Sequence, residues 1–231
     1  MSTTLTTLRL GPMDNLLYLV RDVASNDVAI IDPAWDPVAL VSAARQLGTP
    51  SCILLTHTHP DHVNALSEVQ AELGLPIFVS KDSHLWKLRP SDVNLIGEGD
   101  RLRLGETAID VWATPGHSQC SLTYVFPDRA LVGDTVFTYG CGHCRLPGAD
   151  ANQLYASLER LSQDLPDHLP LHPGHDYGTA PVTTIAAQRA GNPYMHCQSA
   201  AEFCELRNNR PARRMPFKAV EGIPPVDSPD W

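Results

Sequence analysis

Seven consecutive residues, Thr56-His57-Thr58-His59-Pro60-Asp61-His62, constrain this chain more than any other feature. They follow Cys52-Ile53-Leu54-Leu55, a short apolar run of the kind that forms a buried strand. After them Val63, Leu66, Val69 and Leu73 recur at helical spacing. The cluster therefore sits on the turn between a strand end and a helix start. Pro60 suits that place, because its fixed φ fits a chain entering a helix and its missing N–H is not needed there. Three imidazoles and a carboxylate in so short a span are costly to crowd together unless something positive holds them. Divalent zinc does so, taking neutral imidazole nitrogen and carboxylate oxygen at roughly 2.0–2.2 Å. The bland alternative is a polar helix start, with Asp61 as a cap and the histidines on the surface. The density of the cluster weighs against it.

A chain of 231 residues fits one large domain, or one domain with a short appendage, and can bury a core that needs no staples. Its net charge of −9 disfavours non-specific nucleic-acid binding and offers no attraction to anionic membranes. The Thr-rich start, residues 1–15, lacks the basic-then-apolar pattern of a secretion signal, and no apolar run reaches the eighteen or so residues of a membrane span. A cytoplasmic location is the expectation. In such a compartment the six cysteines are expected to be thiols. Cys141-Gly142-His143-Cys144 has the spacing of a redox pair or half a zinc ribbon, but no second C-x-x-C completes a ribbon and no thioredoxin-like βαβ pattern surrounds it. The pair is expected to shape a loop and carry no chemistry.

Short strands are expected at 5–10, 16–21 and 28–32, then a helix from Pro37 to Leu47 closed by Gly48. After the central strand, motif and helix come a strand at Ile77–Ser80 and a helical piece near Ser83–Lys87. Further strands are expected at Arg101–Leu104, Thr107–Ala113, Leu122–Phe126, Ala130–Gly133 and Leu169–Leu171. Helices are expected across Ala151–Leu161 and Ala200–Arg207. The strands fall into two groups, and packing two sheets together with helices outside covers both faces of each. From 210 to 231 the composition turns proline-rich, which reads as an extended tail beyond a domain of residues 1–209.

Three more stretches place a ligand-type side chain just past a strand end. They are Pro115-Gly116-His117-Ser118, Gly133-Asp134-Thr135 and Pro173-Gly174-His175-Asp176. Each alone is weak, since a lone histidine after a strand is more often a solvated loop residue. Together with the central motif they supply five histidines and two aspartates, too many for one tetrahedral zinc and suited to two metals sharing a carboxylate. Two ions about 3.5–4 Å apart can clamp a bridging hydroxide and polarise an electrophile together. Metal binding also brings the pKa of water down toward about 7.

These four stretches resemble, in order and spacing, the metal-binding motifs of the metallo-β-lactamase superfamily. The resemblance implies an α/β fold, a four-layer αββα sandwich with the metal site at one edge of the two sheets. It implies one metal on His57, His59 and His117, a second on Asp61, His62 and His175, and Asp134 bridging both. Asp32-Pro33 also matches the family and is expected to support the site. Within the superfamily, Gly133-Asp134-Thr135-Val136-Phe137, Gly140-Cys141-Gly142 and Pro173-Gly174-His175-Asp176-Tyr177 look most like glyoxalase II, the hydroxyacylglutathione thioesterase. The segment from Asp134 to Cys144 and the stretch Asn192-Pro193-Tyr194-Met195 are similar to the zinc-dependent hydrolases of bacterial polyketide synthase clusters. Persulfide dioxygenases share the frame, and resemblance to them implies a single iron on His57, His117 and Asp134. The basic residue that usually follows Gly142 in glyoxalase II and the dioxygenases is here replaced by His143-Cys144-Arg145. By position His143, Arg145 and Tyr177 are candidate substrate contacts.

The implied activity is hydrolysis of an acyl thioester carried on acyl carrier protein, coenzyme A or glutathione, by a metal-bridged hydroxide at two zinc ions. A thiolate leaves as a stable anion and needs no general acid, and none is visible beyond Asp61, which could pass a proton while serving as a ligand. The alternatives are a mononuclear iron persulfide dioxygenase and an inactive metal-binding module, the latter disfavoured because all seven ligand positions hold competent residues. Arg207, Arg210, Arg213, Arg214 and Lys218 put five positive charges into twelve residues with no acid among them. Such a segment suits an anionic carrier, because the guanidinium fork pairs with phosphate. Replacing Arg210, Arg213 and Arg214 by Ala is expected to raise KM for a carrier-linked thioester and leave kcat on a small one unchanged. Steady-state kinetics at low and high salt check this, because screening should shrink the effect.

Overall fold

The computed structural model describes residues 3–83 and 90–208. The chain opens with an antiparallel pair, β1 (Thr3–Leu10) and β2 (Asn15–Asp22), followed by β3 (Asp27–Ile31). Helix α1 (Pro37–Leu47) crosses back to β4 (Thr49–Leu54), parallel to β3. The motif then gives α2 (Pro60–Val63) and α3 (Leu66–Leu73), and β5 (Ile77–Ser80) and β6 (Val93–Ile96) complete a sheet in the order β1-β2-β3-β4-β5-β6.

The second sheet begins with β7 (Arg101–Leu104), β8 (Thr107–Ala113), β9 (Leu122–Phe126) and β10 (Arg129–Gly133), an antiparallel meander. Helix α4 (Ala151–Asp164) leads to β11 (Pro170–Pro173), parallel to β10. The short β12 (Thr183–Thr184), α5 (Ile185–Gly191) and α6 (Ala200–Asn208) follow, and the sheet order is β12-β11-β10-β9-β8-β7.

Side-chain alternation explains the layers. Along β2, Leu16, Tyr18 and Val20 point into the space between the sheets and meet Val111, Tyr124 and Leu131 from the other side. Leu17 and Leu19 point the other way, onto Leu40, Ala44 and Val69 of α1 and α3. Both faces being covered, the strand reads as a continuous apolar run. In β10, Leu131 faces inward while Ala130 and Val132 pack against Leu154, Leu158 and Phe203 of α4 and α6. The result is the expected four-layer αββα sandwich.

Several elements depart from the sequence expectation. The helix expected after the motif is broken at Asn64 and Ala65, because the Asn64 side chain accepts the Trp35 N–H at 2.6 Å and the Ala65 N–H reaches the Pro33 carbonyl at 3.2 Å. Strand β6 has no alternating pattern to betray it: it is an edge strand, and its Leu95 is exposed. Helix α4 runs on to Asp164 through Ser162 and Gln163, polar residues that apolar periodicity does not register. The strand expected at Leu169–Leu171 is shifted to Pro170–Pro173, which takes in His172, a buried residue packed edge-on against the Tyr18 ring. Strand β12 and α5 were not expected. Most of the helical piece near Ser83–Lys87 and the tail from 210 lie outside the described residues. All six cysteines are thiols. No helix among the described residues is long and apolar enough to cross a membrane.

At the edge where the site lies, backbone hydrogen bonds stitch the sheets together. The Leu122 N–H donates to the Thr56 carbonyl at 2.7 Å, and the Leu16 N–H donates to the Gly174 carbonyl at 2.8 Å. Deeper in the interface the Tyr124 hydroxyl, fully buried, donates to the Leu55 carbonyl at 2.7 Å. Tyr124→Phe is therefore expected to destabilise the fold by about 1–3 kcal/mol, the cost of leaving a buried carbonyl unpaired. Urea unfolding monitored by fluorescence measures it.

Candidate metal centre

The site is assembled from strand ends. Strand β4 delivers Thr56 to His62, β8 delivers His117, β10 delivers Asp134, and β11 delivers His175. Asp32, at the end of β3 with φ +50, is the organiser. Its Oδ1 accepts the Thr56 N–H at 2.7 Å, and its Oδ2 accepts the Thr56 hydroxyl at 2.6 Å and faces His62 Nδ1 at 3.1 Å. The Thr56 hydroxyl, donating to Asp32, is an acceptor for His57 Nδ1 at 3.1 Å. His117 Nδ1 and His175 Nδ1 donate to the carbonyls of His143 and Met13, each at 2.8 Å. In all four rings the outer nitrogen is engaged, which turns Nε2 inward as an acceptor.

Those inward nitrogens converge on two centres. His57, His59 and His117 form one triad and Asp61, His62 and His175 another, the ligand atoms of each lying within 4.8 Å of one another. Asp32 also meets His57 and His62 at this spacing, but its oxygens are taken by Thr56 and the His62 N–H. Asp134 lies between the triads. Its Oδ2 is 3.5 Å from His117 Nε2 and 3.3 Å from His175 Nε2, and its Oδ1 is 3.4 Å from His62 Nε2. Gly174 makes the packing feasible, since a Cβ there would fall 2.3 Å from Asp134 Oδ1.

Whether these residues suit cations can be tested on the geometry. His62 Nε2 and His175 Nε2 face each other at 3.1 Å. Each ring donates from its other nitrogen, so in the neutral state two lone pairs oppose. His57 Nε2 and Asp134 Oδ1 are buried with no hydrogen-bond partner among the described residues. A positive charge between these atoms relieves both conditions, and nitrogen with carboxylate oxygen is the donor set of zinc or iron.

The same geometry divides the titration of the site. Burial, reinforced by His62, holds His57 well below the ordinary histidine range. Burial pushes His59 down too, and takes His117 to about 3. For His62 and His175 burial acts in the same direction but is overcome by Asp134, with help from Asp32 and Asp61 respectively; His62 is held well above its ordinary value and His175 is raised to about 9. Burial would raise Asp61 and Asp134, yet His175 and His62 hold both below the usual carboxylate range.

A cleft of about 220 Å³ opens above the centre. His143 and Tyr177, two of the expected substrate contacts, line it, and Tyr177 stacks on the His175 ring at 4.4 Å between centroids. Arg145 does not line it: this residue is exposed, and only its N–H turns back toward His143 Nδ1, at 3.4 Å. Arg210, Arg213 and Arg214 lie outside the described residues. Arg207, which the sequence groups with them, is instead 6% exposed and lines the cleft. Its Nη1 donates to the Tyr194 hydroxyl at 3.0 Å, while its Nε is buried with no hydrogen-bond partner among the described residues. Sequence reasoning placed Arg207 in a basic segment for an anionic carrier and not in the cleft, and it missed Tyr139 and Asn15 as site residues. Phe203 lies one helical turn before Arg207, a spacing that could have signalled a buried face.

The family model of the metallo-beta-lactamase superfamily matches residues 10–175. The chain belongs to this superfamily. Among its members, the probable polyketide biosynthesis zinc-dependent hydrolase PksB of Bacillus subtilis is 26% identical over 85% of this chain and 88% of its own length. A hydroxyacylglutathione hydrolase of Fuscovulum blasticum is 34% identical over 78% of this chain and 69% of its own. In structure, ETHE1 from Myxococcus xanthus superposes with a TM-score of 0.82 at 28% identity, covering 95% of both chains. TTHA1623, solved in a di-iron-bound form, gives a TM-score of 0.71 at 32% identity, over 82% of this chain and 99% of that one.

The split titration predicts how the metal-free superfamily member responds to pH. His117, held at about 3, stays neutral in the fold while the unfolded chain takes up a proton below about 6.5, so stability falls as pH drops from 6.5. His175, raised to about 9, contributes stability that is complete below about 6.5 and is lost as pH rises through 9. His57 and His59 act in the first direction and His62 in the second. Chelator-treated protein is therefore expected to be most stable near pH 6.5, with zinc restoring what is lost above it. Urea midpoints at about pH 5, 6.5 and 8.5 check this, and a flat profile on the alkaline side would contradict the pairing of His175.

Proposed function

We propose that this chain is a dinuclear zinc hydrolase of acyl thioesters. One observation carries the reading: two triads of ligand atoms share one carboxylate, Asp134, between them. His57, His59 and His117 would hold one zinc, Asp61, His62 and His175 the other, and Asp134 both. When bound, the ions bring the pKa of water toward about 7 and polarise a carbonyl oxygen.

The chain's own residues supply the rest. Asp61, kept ionised, would accept a proton from the attacking water and could carry it onward. Asp61 and Asp134 are the only carboxylates among the described residues lining the cleft. That favours a leaving group able to depart as an anion, which a thiolate does and an amine does not. Phe137, Tyr139, Leu146 and Tyr194 form a wall suited to an acyl chain. The unpaired Nε of Arg207 offers a charge-assisted contact to an anionic group of acyl chain or carrier. Similarity to a hydroxyacylglutathione hydrolase and to zinc-dependent hydrolases of polyketide biosynthesis supports a thioester on glutathione, acyl carrier protein or coenzyme A.

An iron enzyme of the persulfide dioxygenase type is the second reading. The likeness to ETHE1 leaves this single-iron reading open, whereas the di-iron form of a protein 32% identical to this chain supports iron as the metal but in a pair.

Metal analysis and a thiol-release assay separate the two. Close to two zinc ions per chain and release of free thiol from an acyl thioester are expected. Asp134→Ala should disturb both ions and lower kcat by about 10²-fold or more, the scale of a lost group that stabilises developing charge. One iron per chain with oxygen uptake on a persulfide would replace the hydrolase reading.

A further inference from the structure

The two triads share Asp32, which meets His62 directly and His57 through Thr56, but their other outer supports differ. His57 and His117 are tied to Thr56 and to the His143 carbonyl. The outer contacts of Asp61 and His175 come instead from the start of β2 and from the turn that precedes it. Met13 accepts the His175 Nδ1–H at 2.8 Å. Asn15, 2% exposed, donates from Nδ2 to Asp61 Oδ2 at 3.1 Å and to the Asp61 carbonyl at 3.2 Å.

The orientation of that amide is dictated by its other neighbour. Trp35 Nε1 lies 2.8 Å from Asn15 Oδ1, and an indole nitrogen can only donate. The amide oxygen must therefore face the indole and the NH₂ must face Asp61. Trp35 is itself fixed: its N–H donates to Asn64 Oδ1 at 2.6 Å, and its backbone holds φ +69, unusual for a bulky residue. The turn also presses on it, since a Cβ on Gly11 would fall 2.4 Å from Trp35 Cε2. Arg9 closes the arrangement by pairing with Asp14 at 2.7 Å and with Asp176, next to His175, at 2.8 Å.

The oxygen that Asn15 grips is the one aimed at the centre. Asp61 Oδ2 is 3.4 Å from His62 Nε2 and 3.2 Å from His175 Nε2. A neutral amide fixes the rotation of the carboxylate and leaves its charge for a cation. An arginine there would compete with the ion for that charge.

We propose that Asn15, locked by Trp35, is the positioning residue of the second metal. It holds Asp61 ready beside His62 and His175, and so governs occupancy of that half separately from His57, His59 and His117. The inference rests on the two-metal reading and deepens it: a chain altered at Asn15 keeps one tight metal step and has a weakened second.

Competition of zinc with a chromophoric chelator, on metal-free protein, tests this without recourse to activity. The parent should bind two ions. In Asn15→Ala one binding step should weaken about 10–100-fold, the usual cost of losing a group that orients a ligand, while the other stays unchanged. Trp35→Phe keeps the amide but frees it to rotate, and should weaken the same step by less. A merely structural role would weaken both steps together and lower the melting temperature of the metal-free protein. Equal weakening of both steps, or two steps as tight as the parent's, overturns the proposal. A parent that binds one ion overturns the two-metal reading as well, whereas a two-metal parent that releases no thiol overturns only the thioester reading. Should Asn15→Ala fail to fold, Trp35→Phe decides on the same two steps.

Discussion

The buried carboxylate of Asp32 ties the strand ends to the centre. It accepts the N–H and the hydroxyl of Thr56 and faces His62 Nδ1, so one side chain sets the start of the central motif and the orientation of a ring six residues further on. Without such a partner the Thr56 N–H would be a buried donor with no acceptor, which is expensive. From Thr56 the order passes to His57 through the hydroxyl, and the Thr56 carbonyl receives the Leu122 N–H of the other sheet. The sandwich and the centre are therefore joined through the same few atoms.

Around this anchor the sandwich concentrates acceptors that do not satisfy one another. Outer hydrogen bonds turn four imidazoles inward, and Asp61 and Asp134 add two carboxylates that neighbouring histidines keep ionised. Protons on His62 and His175 relieve the crowding in one way, and cations relieve it in another. On the proposed two-metal reading, uptake would displace protons on one half of the site and fill neutral ligands on the other. Beyond the shared Asp32, the halves differ in outer support, the His143 carbonyl on one side and Met13 and Asn15 on the other, which would let the fold set two affinities apart.

The cleft above the centre is walled largely by apolar and aromatic side chains. Aromatic side chains and Leu146 supply apolar walls, and Arg207 reaches it from α6 with a guanidinium held against Tyr194. A buried cation with an unused donor favours an anionic partner, because burial makes an unpaired donor costly. Members of the superfamily with quite different names share the sandwich, so specificity has to come from such wall residues.

The sequence by itself determined the two-sheet plan, most strand and helix positions, and the seven ligand-type residues, because periodicity and strand-end turns are local properties. Leu16–Val20 is apolar on both faces, and His57 to His62 crowd within one turn; neither needs a fold to be read. Which side of each ring faces the centre, and which oxygen of Asp61 is gripped, only the tertiary structure decided. Met13, Asn15, Asp32 and His143 act through contacts with residues between 24 and 162 positions away. Arg207 shows the same limit. In the sequence it is one of five positive charges in a proline-punctuated stretch; in the fold, packing of α6 against α4 buries it beside Tyr194. Charge patterning reports what a segment carries, and only the packing of distant elements reports what it meets.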